Sequence, residues 1–494
     1  MKLDFDTSSL ESYRQFLAVK RLPSYRFRGS VAEFPDEYAE RIGIVPPRRK
    51  RAVAYEPSPF AFDYQRDITR MALDRRKFAV FADCGLGKTI IYFEWLKALQ
   101  SRKGGGLLVT PLMVVEQIRQ EAERFYGDAL PVEIVASGDV PSWVQSCNGK
   151  IGITNYEAFK SDEFPKGQLS KLVVDESSML KSHYGKYGTA IVQLGKQLEW
   201  VLCGTGTPAP NDRIEYANHA VMLGQFPTVN SFLAKYFVNR GQTQERWALK
   251  SHALGAFYRA LSHWAIFLTN PATYGWKDNC ENIPPIHVHI DDVPMTDEQQ
   301  STIEREYGSL FVSSAGGITK RAKLSRIAKG IDGCETNKYT HIRGLVNSWP
   351  DESTIIWCWY NAEQDRLEKE FPEAASISGA TKHEERIRLI DDFKHGHRKI
   401  LISKPKILGY GLNLQIATRQ VFSSLIDSYE SYYQAVKRSN RYGSTKPLNV
   451  HIPVIDIERP MVDSVLRKAK RVQEDTDEQE RIFKLAGWDS QVNA

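Results

Sequence analysis

From residue 60 onward the chain alternates two patterns. Short apolar runs stand at 78–82, 107–109, 151–153, 172–174 and 200–202, and stretches with apolar residues at helical spacing, such as 89–100, separate several of them. A strand buried on one face alternates apolar with polar residues, whereas one buried on both faces does not. These runs therefore predict a parallel sheet covered by helices on both sides, built from right-handed βαβ units. The alternation lapses between 211 and 340, where aromatic and basic residues are frequent and helical stretches at 299–307 and 319–329 stand out. That segment reads as a mainly helical insertion and the lead-in to a second domain. The pattern returns at 355–359, 400–402, 421–422 and 450–452, which predicts a second parallel sheet. Beyond 471 the chain is polar and is expected to end in a short helix.

The predicted organisation is thus an accessory domain at 1–58, a first α/β domain at 59–210, the helical segment at 211–340, a second α/β domain at 341–471 and a tail at 472–494. The boundary after the accessory domain is marked by two prolines and four basic residues at 46–51, read as an exposed linker or a phosphate contact. With 494 residues, 42% hydrophobic and 26% charged, the composition is that of a globular protein and excludes a largely disordered chain. No run approaches the roughly 18 apolar residues of a membrane span, and the acidic start lacks the features of a secretory or transit segment. The sum of 66 basic and 60 acidic residues gives a net charge of +6, which permits a nucleic-acid partner without demanding one. Six scattered cysteines, with no C-x-x-C pair, argue against a zinc ribbon and for a reducing, cytoplasmic setting.

Residues 82–89, ADCGLGKT, lie between a predicted strand and a predicted helix, the setting of a nucleotide phosphate loop. Gly85 and Gly87 let backbone N–H groups approach phosphates, and the helix N-terminus favours an anion. Lys88 is placed to reach the β- and γ-phosphates, and the Thr89 hydroxyl to ligate Mg²⁺. Ala82 stands where the strict motif has glycine. Downstream, the apolar run at 172–174 ends in Asp175 and Glu176. Two carboxylates there can divide labour: Asp175 holds Mg²⁺, and Glu176 orients and deprotonates an attacking water. Upstream, Phe62 and Gln65 precede or open a helix. They either stack on and read an adenine edge or serve as helix cap and core.

Gln434, Arg438 and Arg441, spaced by four and three, are expected on one face of one helix. Two arginines on one face repel unless an anion lies between them, and a triphosphate reached from the second domain supplies it. Gly409 and Gly411, after the predicted strand at 400–402, allow close approach of a backbone or nucleotide.

Taken in order, Gln65, ADCGLGKT, LLVTPLMVVEQ, ITNYEAF, VVDESS, GTGTPAPN, SKPKILGYGLNLQ and QAVKRSNRYG resemble the superfamily-two helicases and translocases, and within them the Swi/Snf-type branch. GTGTP at 204–208 with Asn211, and GLNLQ at 411–415, are the features most typical of that branch. The compact size resembles bacterial or phage members. The resemblance covers about 60–471. It implies an α/β fold of two RecA-like parallel-sheet lobes with ATP in the cleft between them, ATP and Mg²⁺ as cofactors, and movement along DNA, duplex or branched, with roles in replication, recombination or repair. It further implies that Thr205 and Thr207 link the ATP site to the nucleic-acid track. Ser178 departs from the family pattern, standing where many relatives carry a histidine. Backbone-contact candidates are Thr110, Thr154, Asn155 and Ser378, and the accessory domain at 1–58 is read as a DNA grip or a brace on the first lobe. An RNA helicase with the same motor, a nucleotide-gated binding protein without turnover, and another P-loop enzyme such as a kinase are the competing readings.

Overall fold

The computed structural model describes residues 1–22, 25–34, 38–44, 53–160, 164–181, 186–241, 247–277, 283–307, 318–331, 333–408, 412–425, 428–441 and 443–485. The linker expected at 46–51 lies outside them, as do Gly409 and Gly411. The chain divides into two compact units, Met1–Asp278 with Glu474–Ala494, and Asn279–Gln473.

The first unit begins with three antiparallel strands, β1 (Lys2–Asp4), β2 (Arg26–Arg28) and β3 (Val31–Glu33), in the order β1-β3-β2. The helix Leu10–Lys20, capped by Ser9, lies against them. Their core is small: Phe5, Val19, Leu22, Ala32, Phe34, Tyr38 and Ala39. A core of that size is marginal by itself, and it is tied to the rest of the unit. Lys235 Nζ donates to Leu22 O at 3.0 Å, Tyr38 Oη to Gln225 Oε1 at 3.3 Å, and the Tyr38 ring meets His263 edge-on at 4.9 Å.

The main sheet of this unit is built from β4 (Lys77–Ala82), β5 (Gly105–Thr110), β6 (Glu133–Ile134), β7 (Ile151–Asn155), β8 (Leu169–Asp175), β9 (Trp200–Gly204) and β12 (Ala265–Leu268). A separate hairpin pairs β10 (Phe237–Asn239) with β11 (Trp247–Leu249). The sheet order is β12-β4-β9-β8-β5-β7-β6, and every described pairing is parallel. All six residues of β5 are buried, as are all but the first of β4, which is why these strands read as unbroken apolar runs. The order matters for function. The chain leaves β4, passes two positions, and returns as β5, so β9 and β8 are inserted between them. The carboxyl ends of β4, β9 and β8 therefore adjoin, at the kind of edge where open parallel sheets bind ligands.

The helix after β4, Lys88–Ala98, is apolar around most of its circumference, with Ile91, Tyr92, Phe93, Trp95 and Leu96 buried. A helix of that kind is enclosed. Its one buried acid, Glu94, accepts from Tyr55 Oη (2.7 Å), Ser58 N (2.9 Å) and Tyr126 Oη (2.8 Å), which fixes the lead-in at 55–58 to the domain.

The second unit carries β13 (Ile286–Asp292), β14 (Ser353–Trp357), β15 (Ala375–Ile377), β16 (Ile400–Ser403), β17 (Ala417–Phe422) and β18 (Leu448–Val454), in the order β13-β18-β17-β14-β16-β15, again parallel at each described pairing. All five residues of the central β14 are buried. Away from the apolar core, buried Glu458 accepts from Lys329 Nζ at 2.7 Å and from Lys338 Nζ, which ties the helix Lys338–Asn347 and the end of Ile318–Ala328 together.

Two expectations need correction. The sheets are not confined to 59–210 and 341–471: the mainly helical segment 211–340 supplies β12, an edge strand of the first sheet, and β13, an edge strand of the second. The helix at the end of the chain is not short. The helix Arg459–Leu485 runs for 27 residues. Its Val462 and Val465 join the core of the second unit. In the first unit, Asp475 pairs with Arg213, Glu480 Oε1 accepts from Thr269 N at 2.8 Å, and Phe483 packs on Phe267 at 5.6 Å. Its sequence is polar because it is amphipathic, with one face covered at each end.

Candidate active site

The carboxyl edge of the first sheet gathers most of the predicted chemistry of that unit. β4 ends at Ala82, and the turn 83–87 leads into the helix through Gly87, which has φ +63°. Gly85 has φ +91°. Both sit in a region of backbone space that side chains penalise, so the glycines set the loop's path. Lys88 Nζ donates to Ala82 O (2.9 Å) and Asp83 O (3.3 Å), which folds the ammonium back over the loop. Thr89 follows in the helix's first turn, half-buried.

Gln65 is buried behind this loop. Its Oε1 accepts from Phe62 N at 2.9 Å, capping the helix Asp63–Arg75, and its Nε2 donates to Leu86 O (3.4 Å) and Gly87 O (3.3 Å). Gln65 itself is thus both helix cap and core in this structure. Phe62 is exposed and stacks on Tyr64 at 5.8 Å.

Asp175 closes β8. It is buried, and both carboxylate oxygens are held: Tyr92 Oη donates to Oδ1 at 3.0 Å and Thr110 Oγ1 to Oδ2 at 2.9 Å. Burial raises its pKa, against which the Lys88 charge and the Thr110 and Tyr92 hydrogen bonds act. Glu176, next in the chain, is half-buried and sits at φ +50°, a left-handed conformation rare for a side chain of this kind. Strain of this sort persists where surroundings over-determine it. Tyr156 Oη donates to Asp175 O at 2.6 Å and approaches Glu176 O at 3.2 Å, and Thr205 Oγ1 donates to Glu176 Oε2 at 3.2 Å. Thr205 Oγ1 also accepts from Thr207 N at 3.1 Å. A Cβ added to Gly206 would lie 3.5 Å from Ala82 O and 3.6 Å from Cys84 N. The segment after β9 thus bonds to Glu176 and borders the phosphate loop.

Ser177 Oγ shares a hydrogen bond with His219 Nε2 at 2.9 Å, and His219, fully buried, has its pKa pushed down to about 4 by burial. Ser178 is buried, and neither its hydroxyl nor that of Thr207 has a hydrogen-bond partner among the described residues.

The residues fit Mg²⁺. Asp175 is a buried carboxylate that accepts from three neutral donors, Tyr92, Thr110 and the Glu176 backbone N–H, and a carboxylate has acceptor capacity beyond three. No cluster of three His, Cys, Asp or Glu suited to a metal occurs among the described residues. Mg²⁺ characteristically takes one or two carboxylates and completes its shell with substrate phosphates and water rather than a protein cage.

Three of the four expected polymer contacts point elsewhere. Thr110 is fully buried on Asp175; Thr154 is buried, donating to Val135 O at 2.9 Å; Asn155 is buried, its Oδ1 accepting from Glu157 N at 2.9 Å. Ser378, half-buried, accepts at Oγ from Ala380 N (3.2 Å), and its N–H donates to Thr381 Oγ1 (2.9 Å), in a turn before the helix His383–Lys394.

In the second unit the expected single helix bearing Gln434, Arg438 and Arg441 is not formed. The helix Tyr429–Val436 stops with Lys437 as its C-cap. At its end Arg438 Nε donates to Gln434 O at 3.0 Å, one of the carbonyls left over by the last turn, and Arg438 N donates to Ala435 O at 3.2 Å. Arg438 is buried, with Nη1 on Leu412 O at 3.3 Å. Gln434 is buried, and its Oε1 has no partner among the described residues. Arg441 is half-buried beside Gly443, at φ +93°, and its N–H donates to Ser444 Oγ at 3.1 Å.

Tyr92 belongs to the site and carried no sequence signal of its own; Tyr156 and Gly204 lie inside the motifs ITNYEAF and GTGTP, which gave neither of them a role. A tyrosine in the second turn of an enclosed helix reads as core.

A phosphate loop, a strand-end Asp-Glu pair and a neighbouring threonine segment on a parallel sheet define a nucleoside-triphosphatase domain, followed here by a second parallel-sheet domain. The chain belongs to the family of the SNF2-related domain, which matches residues 77–342, and the helicase conserved C-terminal domain matches residues 337–443. Membership makes it an ATP-using protein of the helicase and translocase type with a two-lobed RecA-like core. A relative is the putative protein p41 of Acyrthosiphon pisum secondary endosymbiont phage 1, 22% identical over 457 residues, which are 83% of this chain and 96% of that protein. Similar solved structures include the Sulfolobus solfataricus SWI2/SNF2 ATPase core in complex with dsDNA, at 18% identity and TM-score 0.39, covering 87% of this chain and 97% of that one. The Pyrococcus furiosus Hef helicase domain is another, at 13% identity and TM-score 0.47, covering 82% and 98%. Among the described residues no helix is long and apolar enough to cross a membrane.

Proposed function

We propose that the protein is a DNA-stimulated ATPase that moves along duplex or branched DNA. The observation that carries this reading is Glu176: a carboxylate in a strained conformation, bonded to Thr205 of the segment that also borders the phosphate loop. Such a contact gives the hydrolytic acid a partner able to report on its state to the rest of the domain.

In this reading Gly85, Gly87 and Lys88 hold the phosphates. Thr89 and Asp175 hold Mg²⁺, which would supply charge neutralisation at the β- and γ-phosphates. Glu176 orients the attacking water and accepts its proton. Phe62 and Gln65 receive the adenine, Gln65 exchanging its two long bonds to the loop carbonyls for bonds to the base. Gln434, Arg438 and Arg441, with Gly411 nearby in sequence, act on the γ-phosphate from the second lobe. Closure is then favoured by ATP and released after hydrolysis, a difference in affinity between two states that can be turned into stepping. DNA is gripped through its phosphates, so binding is sequence-tolerant and salt-sensitive. The segment at 1–58 is a brace on the first lobe in this reading, supported by its bonds at Leu22 and Tyr38.

Phosphate release measured with no polymer, single-stranded DNA, duplex DNA, a four-way junction and RNA tests it. Stimulation by duplex or junction is expected; stimulation by RNA alone favours the RNA motor, and silence in every tube the nucleotide-gated binder. Lys88→Ala and Glu176→Gln are each expected to abolish turnover, with Glu176→Gln still binding ATP; normal turnover in either variant would show the site to be misassigned.

A further inference from the structure

Asp175 is the acid this reading gives to Mg²⁺, and what fixes its orientation is unusual. Its Oδ2 is held by Thr110, from the adjoining strand β5, and its Oδ1 by Tyr92, which reaches across from the phosphate-loop helix. Tyr92 is fully buried. It can reach Asp175 only because residue 204 is glycine. Gly204 stands opposite Asp175 in the β8–β9 register, and a Cβ added there would lie 2.6 Å from Tyr92 Cζ and would overlap its hydroxyl. Gly204 is not among the glycines with positive φ, so its backbone would accept any residue. Space for Tyr92 is the one demand on it that the geometry displays.

We propose that Tyr92, admitted by Gly204, is a positioning residue that sets the carboxylate of Asp175 for Mg²⁺. The inference rests on the nucleotide-site reading above and deepens it. The phosphate-loop helix thereby does two jobs, presenting Lys88 and Thr89 at its first turn and orienting the opposing acid from its second. A Tyr hydroxyl on a carboxylate removes rotational freedom that would otherwise be lost when the metal binds, and outer partners of this kind are worth on the order of tenfold or more in metal affinity.

The experiment is a Mn²⁺ titration in the presence of ADP, followed by electron paramagnetic resonance, on the full chain and on Tyr92→Phe, with the affinity for metal-free ADP and the melting temperature measured alongside. Tyr92→Phe is expected to weaken Mn²⁺ binding about tenfold, while metal-free ADP affinity changes by less than about twofold, since the phosphate loop is untouched. Gly204→Ala is expected to show the same loss, and the double variant Tyr92→Phe/Gly204→Ala to bind Mn²⁺ no more weakly than Gly204→Ala, because both changes remove one contact. Unchanged Mn²⁺ affinity in Tyr92→Phe overturns the proposal. So does an equal loss of metal-free ADP, which marks a general collapse of the site. If Tyr92→Phe melts early, Thr110→Val, which removes the other donor, carries the same prediction. The readout needs no turnover, so a wild-type chain that binds Mn²⁺-ADP but hydrolyses nothing refutes the motor reading and leaves this proposal standing.

Discussion

Asp175 and Glu176 are neighbours in the chain with opposite surroundings. Asp175 is buried and held at both oxygens, whereas Glu176 is half-exposed and held in a strained backbone by Tyr156 and Thr205. A fixed acid suits a metal, and a half-exposed one suits a water and a proton. Next to them lies His219, whose burial holds it neutral. Its folded pKa, about 4, is below the unfolded value near 6.5, so the unfolded chain binds the extra proton. The stability this histidine protects is complete above pH 6.5 and is lost as pH falls through the window from 6.5 to 4. Between pH 7.5 and 5.0 the loss is about 2 kcal/mol. Urea unfolding of His219→Gln should therefore lose about 2 kcal/mol less than wild type over that interval; equal losses would mean the ring charges in place.

Among the elements, the phosphate-loop strand and helix, the Asp-Glu strand and both parallel sheets were legible because each is marked locally, by an unbroken apolar run or a glycine-bearing turn. What was hidden is non-local. Ala265–Leu268 is four apolar residues in an aromatic-rich stretch, and only its pairing with 79–82, some 186 positions earlier, makes it a strand of that sheet. Ile286–Asp292 is a largely exposed edge strand that alternates apolar and polar residues, so it lacks the unbroken buried run that marked the others. Helix 429–436 stops short of Arg438, whose side chain folds back onto Gln434 O, a contact that residue spacing alone does not carry. The long C-terminal helix was masked by its own amphipathic charge. Its packing yields a prediction: Phe483, buried on Phe267 beside β12, should cost about 3–5 kcal/mol when replaced by Ala. Hydrogen exchange should quicken first at 265–268. Unchanged protection there would mean that this end of the helix contributes nothing to the first unit.

For the whole molecule, the motor reading requires residues of the second unit to act on a triphosphate held by the first. The two arginines are not equal probes. Arg438 is buried and bonded to Gln434 O and Leu412 O, so its removal also disturbs folding. Arg441, half-buried outside the helix, is the cleaner one. The most direct measurement is steady-state ATP turnover of Arg441→Ala with saturating duplex DNA, paired with its ATP affinity. Cooperation between the units predicts turnover down by about 10³-fold or more with ATP affinity within a few-fold of wild type. Wild-type turnover in that variant would contradict it.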